Sequence, residues 1–289
     1  MTKRTISEVV RGQPAIDGAG VHLRRVLGLR TIESFDPFLM LDGFDSLNPE
    51  DYIKGFPWHP HRGIETVTYL LKGKIEHGDS LGNKGIIGEE QCQWMTAGSG
   101  IIHQEMPQAS EQMLGCQLWV NLPQKNKMTS PAYNDIRPEN IIRIQEENAK
   151  VGILSGSYQG HKGAYDAKYI DVQYLDILLK PNSVWKYKET PNDQTLFLYL
   201  IQGTLAANDA LDQFEEKACA ILMKPSSNDA SSFDEVIVKS GPEGARFFLI
   251  AAKPLHEPVA WGGPVVMNTK EELNLAFEEI KNNTFIKHG

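Results

Sequence analysis

Between Val21 and about Val120 the chain alternates short apolar runs with breaks at Gly, Pro, Asn and Asp, as in FLMLDGF, IETVTYLLKG and GCQLWVNLP. Runs of this length, each closed by residues that favour turns, predict the many short strands of a β-barrel or sandwich. A turn-rich stretch, KNKMTSPAYNDIRPEN, then runs from Lys125 to Asn140. Its two prolines, Pro131 and Pro138, and its scarcity of apolar residues mark a connection between modules. Beyond it the strand rhythm resumes in KVGILSG, YLDILLKP, LFLYLIQGTLAAND, AILMKP and ARFFLIAAKP. The expected organisation is a first barrel over residues 1–130, a linker over 131–142 and a second barrel over 143–289. The segments LLKGKIEHGD (Leu70 to Asp79) and LIQGTLAAND (Leu200 to Asp209) share a strand, glycine turn, strand plan, which suggests one unit used twice. A single clear helix is predicted near the end. There Thr269 and Glu272 form a T-x-x-E capping box ahead of Leu273, Ala276, Phe277 and Ile280 at helical spacing, and that stripe should pack on a barrel.

Composition narrows the classes. With 289 residues, 41% hydrophobic and 23% charged, the chain carries enough apolar material for a sizeable core, which excludes disorder as its ground state. A net charge of -8 with Lys and Arg spread among acids offers no basic field, so direct binding to nucleic acid is not expected. Cys92, Cys116 and Cys219 are far apart, form no C-x-x-C pair and read as reduced, buried thiols. The opening MTKRTISEVVRG lacks the apolar run of a signal peptide and no stretch has a membrane span's apolar length. A soluble, cytoplasmic protein without membrane attachment is the expectation.

Candidate chemistry lies in two short pairs. His59 and His61 stand two apart at the front of an apparent strand, and His103 and Glu105 repeat the spacing some forty residues later, after the glycine-bearing turn AGSG. Side chains at i and i+2 on a strand point to one face, so each pair can converge on a point. Either pair alone is common; the two together, with matching context, indicate a metal site. Imidazole and carboxylate without thiolate suit Fe, Mn, Ni, Cu or Zn and leave coordination positions for substrate or oxygen, as a catalytic centre requires. Glu65 shares strand parity with His59 and His61 and has three readings: a ligand, a group orienting a ligand, or an ion partner of Arg62. Glu105 is the preferred carboxylate. His77 sits beside Gly78 and Asp79 in an apparent turn, and His22, His161, His256 and His288 are isolated. All five read as solvated or hydrogen-bonded residues without a role. Phe56, Trp58, Trp94 and Met106 are candidates to line a pocket for a flat substrate, although a barrel core needs such residues in any case.

Through FDPFLMLDGF, HPHRGIETVTYLL, QWMTAGSGIIHQEMP and the late GGPVVMNT, the sequence resembles the pirin family of the cupin superfamily over nearly its whole length. The resemblance implies an all-β bicupin: two β-barrels of the double-stranded β-helix kind with a short C-terminal α-helix. It also implies one metal in the N-terminal barrel held by His59, His61, His103 and Glu105, and so favours Glu105 over Glu65. The ion implied is Fe(II), with Mn, Ni, Cu or Zn as alternatives. The corresponding strand of the second barrel, within VWKYKETPNDQTLFLYLIQG, has no histidine, so one metal per chain is expected. The activity implied is that of a quercetin 2,3-dioxygenase, in which a flavonol is opened by O2 with release of carbon monoxide and Glu105 accepts the 3-hydroxyl proton. The family also implies an alternative, a redox-sensing, non-catalytic metal protein acting in transcription through a protein partner. A metal-dependent isomerase or hydrolase of the kind other cupins support is a third reading.

Overall fold

The computed structural model describes residues 2–287, so His288 lies outside the described residues. The strand rhythm of the sequence becomes antiparallel sheets, in two compact units.

One unit contains a seven-stranded sheet in the spatial order Ala132–Ile136, Cys92–Thr96, Ile64–Lys72, Met113–Asn121, Phe38–Ser46, Val21–Leu27 and Gln13–Asp17. Its second sheet has four strands, Phe56–His61, Ile101–Gln108, Lys74–Asp79 and Lys84–Ile87. Val21, Leu23, Phe44, Leu70 and Met113 from the first sheet pack with Ile75 and Ile87 from the second into one buried cluster. The other unit is built on a nine-stranded sheet whose longest members are Thr195–Ala207 and Val236–Ala252. Its core cluster is built of apolar and aromatic side chains. The strand Val184–Tyr187 turns Trp185 and Tyr187 into that core, their rings stacked at 5.6 Å. Gly73 and Gly203, the glycines of the repeated segments, both adopt positive φ (95° and 75°). In the first barrel Gly73 separates two strands; in the second, one long strand runs through Gly203 with a register shift beside it.

The units are not the contiguous halves expected from the linker. The first comprises Pro14–Leu29, Phe38–Pro138 and Leu255–Gly289; the second comprises Met1–Gln13, Arg30–Pro37 and Glu139–Pro254. Strand pairing explains the difference. Thr5–Arg11 is laid against Cys219–Lys224, so the chain's first strand completes the second barrel, not the first. Arg4 anchors it, its guanidinium donating to the carbonyls of Pro191, Gln194 and Met223. The helix Lys270–Lys281 belongs with the unit that holds Phe38–Pro138, not with the barrel that precedes it in sequence.

That helix has the expected capping box, with both Thr269 and Glu272 hydrogen-bonded. Leu273, Ala276 and Ile280 pack with Val265, Met267, Phe285 and Ile102, while Phe277 stays 40% exposed. Ile102 precedes His103, so the helix packs against the strand that carries His103. Cys92, Cys116 and Cys219 are buried thiols. No helix among the described residues is long and apolar enough to cross a membrane.

Candidate metal centre

The strand Phe56–His61 is an edge strand, which is why Pro57 and Pro60 can sit in it without breaking a ladder. It pairs antiparallel with Ile101–Gln108, placing His103 opposite His59 and Ile101 opposite His61. Burial alternates along Ile101–Gln108, so His103 and Glu105 share the inward face. The turn that follows His61 needs a glycine. Gly63 has φ +78°, and a Cβ there would lie 1.9 Å from the Val266 carbonyl oxygen.

The three imidazoles meet, with one ligand atom from each lying within 4.8 Å of the others. His59 Nδ1 donates to the Pro57 carbonyl at 2.9 Å and His61 Nδ1 to the Pro264 carbonyl at 3.1 Å. A carbonyl only accepts, so both protons sit on Nδ1 and both Nε2 atoms present lone pairs. Those Nε2 atoms face each other at 3.1 Å. Two lone pairs so placed repel unless a cation lies between them, and 3.1 Å is less than two metal–nitrogen bonds of about 2.1 Å laid end to end. His103 is fully buried, and neither of its ring nitrogens has a hydrogen-bond partner among the described residues. A buried polar atom left unmade costs about 1–3 kcal/mol, and a metal ion would satisfy it. The donor set therefore fits a borderline divalent ion.

Burial, reinforced by neighbouring His59, pushes the His61 pKa down to about 3, and burial among the other imidazoles holds His103 well below its ordinary value. Unfolded, both take up protons near pH 6.5. Their contribution to the stability of the metal-free protein is therefore fully present above pH 6.5 and is lost as the pH falls from there toward 3. From His61 alone the loss by pH 5 is on the order of 2 kcal/mol. Urea unfolding at pH 7 and pH 5 should show this drop, and a shallower one in His103→Ala.

Glu105 points inward from the strand that carries His103 and is buried, but its carboxylate is not one of the converging ligand atoms. The pairing with Phe56–His61 shifts register between His103 and Glu105. The Thr68 hydroxyl donates to Oε1 at 3.1 Å, and the Gln117 amide donates to Oε1 and Oε2 at 3.1 and 2.9 Å. Gln117 is itself held by the Trp119 indole, which donates to its Oε1 at 3.2 Å.

Glu65 lies elsewhere. Its Oε1 accepts from the Thr96 hydroxyl at 2.7 Å and its Oε2 from the Trp94 indole at 3.0 Å, all within the seven-stranded sheet. Burial raises its pKa despite those two donors. Nor does it pair with Arg62, whose acid is Glu279 at 2.7 Å. Glu65→Leu should leave Trp94 and Thr96 short of an acceptor and lower stability by about 2–6 kcal/mol, at roughly 1–3 kcal/mol for each orphaned group. Metal binding should be unchanged. Chemical denaturation with parallel metal titration checks both, and a lost metal would return Glu65 to the site.

His77 is not a solvated turn residue. It lies on the strand Lys74–Asp79, opposite Glu105, buried, with its Nε2 3.4 Å from Asp79 and its ring stacked on Tyr133. Its ring centre is 5.6 Å from that of His103. His22, His161 and His256 are exposed. Of the aromatic residues expected near the site, Phe56 lies 6.4 Å from the His59 ring, Trp94 is fully buried on Glu65, and Trp58 is 54% exposed. Met106 points the other way from Glu105 and is half-buried. Two residues not singled out by sequence stand closer. Trp119 meets the His61 ring edge-on at 4.9 Å, and Trp261 packs on Trp119 at 5.7 Å. Trp119 shares inward parity with Gln117 on its strand, a cue that without the register names no neighbour.

Comparison with known proteins agrees with this architecture. Residues 20–120 match the Pirin family and residues 174–286 the Pirin C-terminal cupin domain. A Pseudomonas aeruginosa protein named "Putative quercetin 2,3-dioxygenase" is 42% identical, the alignment covering 96% of each chain. Human Pirin is 37% identical over 97% of this chain and 92% of its own. The crystal structure of a quercetin 2,3-dioxygenase from Acinetobacter baumannii superposes with a TM-score of 0.85 at 28% identity, covering 98% of both chains. The fold is thus that of a bicupin, and the chain belongs to the pirin family.

Proposed function

We propose that this protein is a metal-dependent dioxygenase that opens a flavonol such as quercetin with O2 and releases carbon monoxide. The observation that carries the reading is the converging trio of His59, His61 and His103, with two Nε2 lone pairs face to face and neither His103 ring nitrogen hydrogen-bonded among the described residues. The names of the Pseudomonas and Acinetobacter relatives support the choice of substrate.

In this reading the three histidines and Glu105 hold one divalent ion, Fe(II) or alternatively Mn, Ni, Cu or Zn. Bound there, the ion supplies a Lewis acid toward the flavonol 3-hydroxyl and an open position for oxygen chemistry. The protein's own groups do the rest. Glu105 accepts the 3-hydroxyl proton on a carboxylate oxygen. Thr68 and Gln117 aim that carboxylate by hydrogen bonds, and Trp119 fixes Gln117. Trp119 and Phe56, beside His61 and His59, give the flat aromatic ligand apolar surfaces. One ion per chain is expected, since the core cluster of the second barrel is made of apolar and aromatic side chains, Trp185 and Tyr187 among them.

The test is quercetin turnover with oxygen uptake and carbon monoxide release, on protein stripped of metal and reloaded with Fe(II), Mn, Ni, Cu or Zn in turn. Activity should appear only with metal. Tight binding of every ion with no turnover would overturn the dioxygenase reading and leave a binding protein that acts through a partner.

A further inference from the structure

We propose that residues 261–287 are a working part of the metal centre: through the main-chain carbonyl of Pro264, this segment fixes which nitrogen of His61 faces the ion. The inference rests on the metal reading above and adds to it a set of positioning residues remote in sequence from every ligand.

The two histidines of the H-x-H pair obtain their acceptors differently. His59 Nδ1 donates to Pro57, two residues away on its own strand, so its orientation is set locally. His61 Nδ1 donates to Pro264, 203 residues away. An imidazole has two near-equivalent tautomers, and the proton goes to whichever nitrogen has the acceptor. Without the Pro264 carbonyl, His61 Nε2 loses the reason to remain a lone pair, and a protonated Nε2 cannot ligate. Partners of this kind, outside the ligand set, are worth 10–100-fold in metal affinity.

The segment is fastened at the points that hold Pro264 in register. The Val266 N–H donates to the Arg62 carbonyl at 3.1 Å, and Val265 bridges Arg62 in parallel. The buried Lys127 ammonium ties three elements together, donating to Val266 O at 3.0 Å, Gly63 O at 2.8 Å and Asn121 Oδ1 at 2.5 Å. The Trp261 indole closes the turn by donating to the Gly263 carbonyl at 2.8 Å, and its ring supports Trp119 against His61. Further along, the buried Arg62 guanidinium donates to Phe285 O at 2.8 Å, pairs with Glu279 and lies 4.2 Å over the Phe285 ring. Packing alone would need only the apolar contacts of the helix. Instead a buried lysine and a buried arginine, each expensive to desolvate, are committed to this segment beside His61.

The experiment uses the full chain and reads two quantities. Long-range 1H–15N spectra of the metal-free protein report the tautomer of each histidine, and calorimetric titration with Ni(II) and Zn(II) reports affinity. In the wild type, His61 should carry its proton on Nδ1. Lys127→Met should shift His61 toward the Nε2-protonated form, leave His59 unchanged and weaken Ni(II) binding 10–100-fold. Trp261→Leu, at a partly exposed position, loosens the same turn and carries the test should Lys127→Met not fold. The proposal is overturned if both variants bind within twofold of wild type with the His61 tautomer intact, or if His61 in the wild type is protonated on Nε2. His103→Ala separates the two readings. Lost Ni(II) binding there alongside unchanged binding in the other variants sinks only the role of the segment, whereas unchanged binding in His103→Ala sinks the metal site itself.

Discussion

His103→Ala should lose its metal while keeping its fold. Apparent binding energies of about 10–16 kcal/mol, shared among four ligands, imply that removal of one weakens affinity by at least 10²–10³-fold, and turnover should fall to background. The unusual part of the expectation concerns stability. Truncating a buried side chain of this size ordinarily costs several kcal/mol through the cavity it leaves. Here the cost is partly offset, because both His103 ring nitrogens lack partners and their removal relieves an unmade pair of hydrogen bonds. Metal analysis by mass spectrometry together with thermal unfolding of the stripped protein tests both halves. A variant that still binds one ion per chain with wild-type affinity would remove His103 from the centre.

Glu105→Gln separates holding the ion from moving the proton. The substitution keeps the shape and leaves an oxygen to accept from Gln117 or Thr68, but it removes the proton-accepting carboxylate. Turnover of quercetin should fall by about 10²–10⁴-fold, the usual worth of a positioned general base, while the three histidines retain the metal with weakened affinity. Kinetics on protein of measured metal content are decisive. Full activity per bound ion would mean that the flavonol proton leaves by another route.

The convergence of His59, His61 and His103, and the inward face that Glu105 shares with His103, were legible because a strand's period of two is written directly into H-x-H and H-x-E, and the edge position of Phe56–His61 tolerates its prolines. What surrounds them was not legible. Thr68 and Gln117 reach Glu105 from strands whose register across Ile64–Lys72 and Met113–Asn121 depends on long-range pairing, and no local pattern encodes it. Glu65 had the parity of a ligand, yet parity does not say which sheet a strand joins, and its strand joined the other one. His77 was misjudged because Gly78 and Asp79 look like a turn, whereas the strand continues through both before turning. The linker was equally misleading as a boundary. Its prolines do lie between the barrels in sequence, but Thr5–Arg11 and Leu255 onward each complete the unit farther away along the chain.

That exchange of chain ends bears on how the protein comes into being. A ribosome emits Thr5–Arg11 about two hundred residues before its partner strand Cys219–Lys224, so an unpaired edge accompanies the nascent chain until that strand is made. His59, His61 and His103 emerge early, but the carbonyl that orients His61 arrives only after the whole second barrel has been made. On the proposed reading, tight metal capture waits for the residues made after the second barrel, and a product ending before Pro264 would carry all three histidines yet compete poorly for metal.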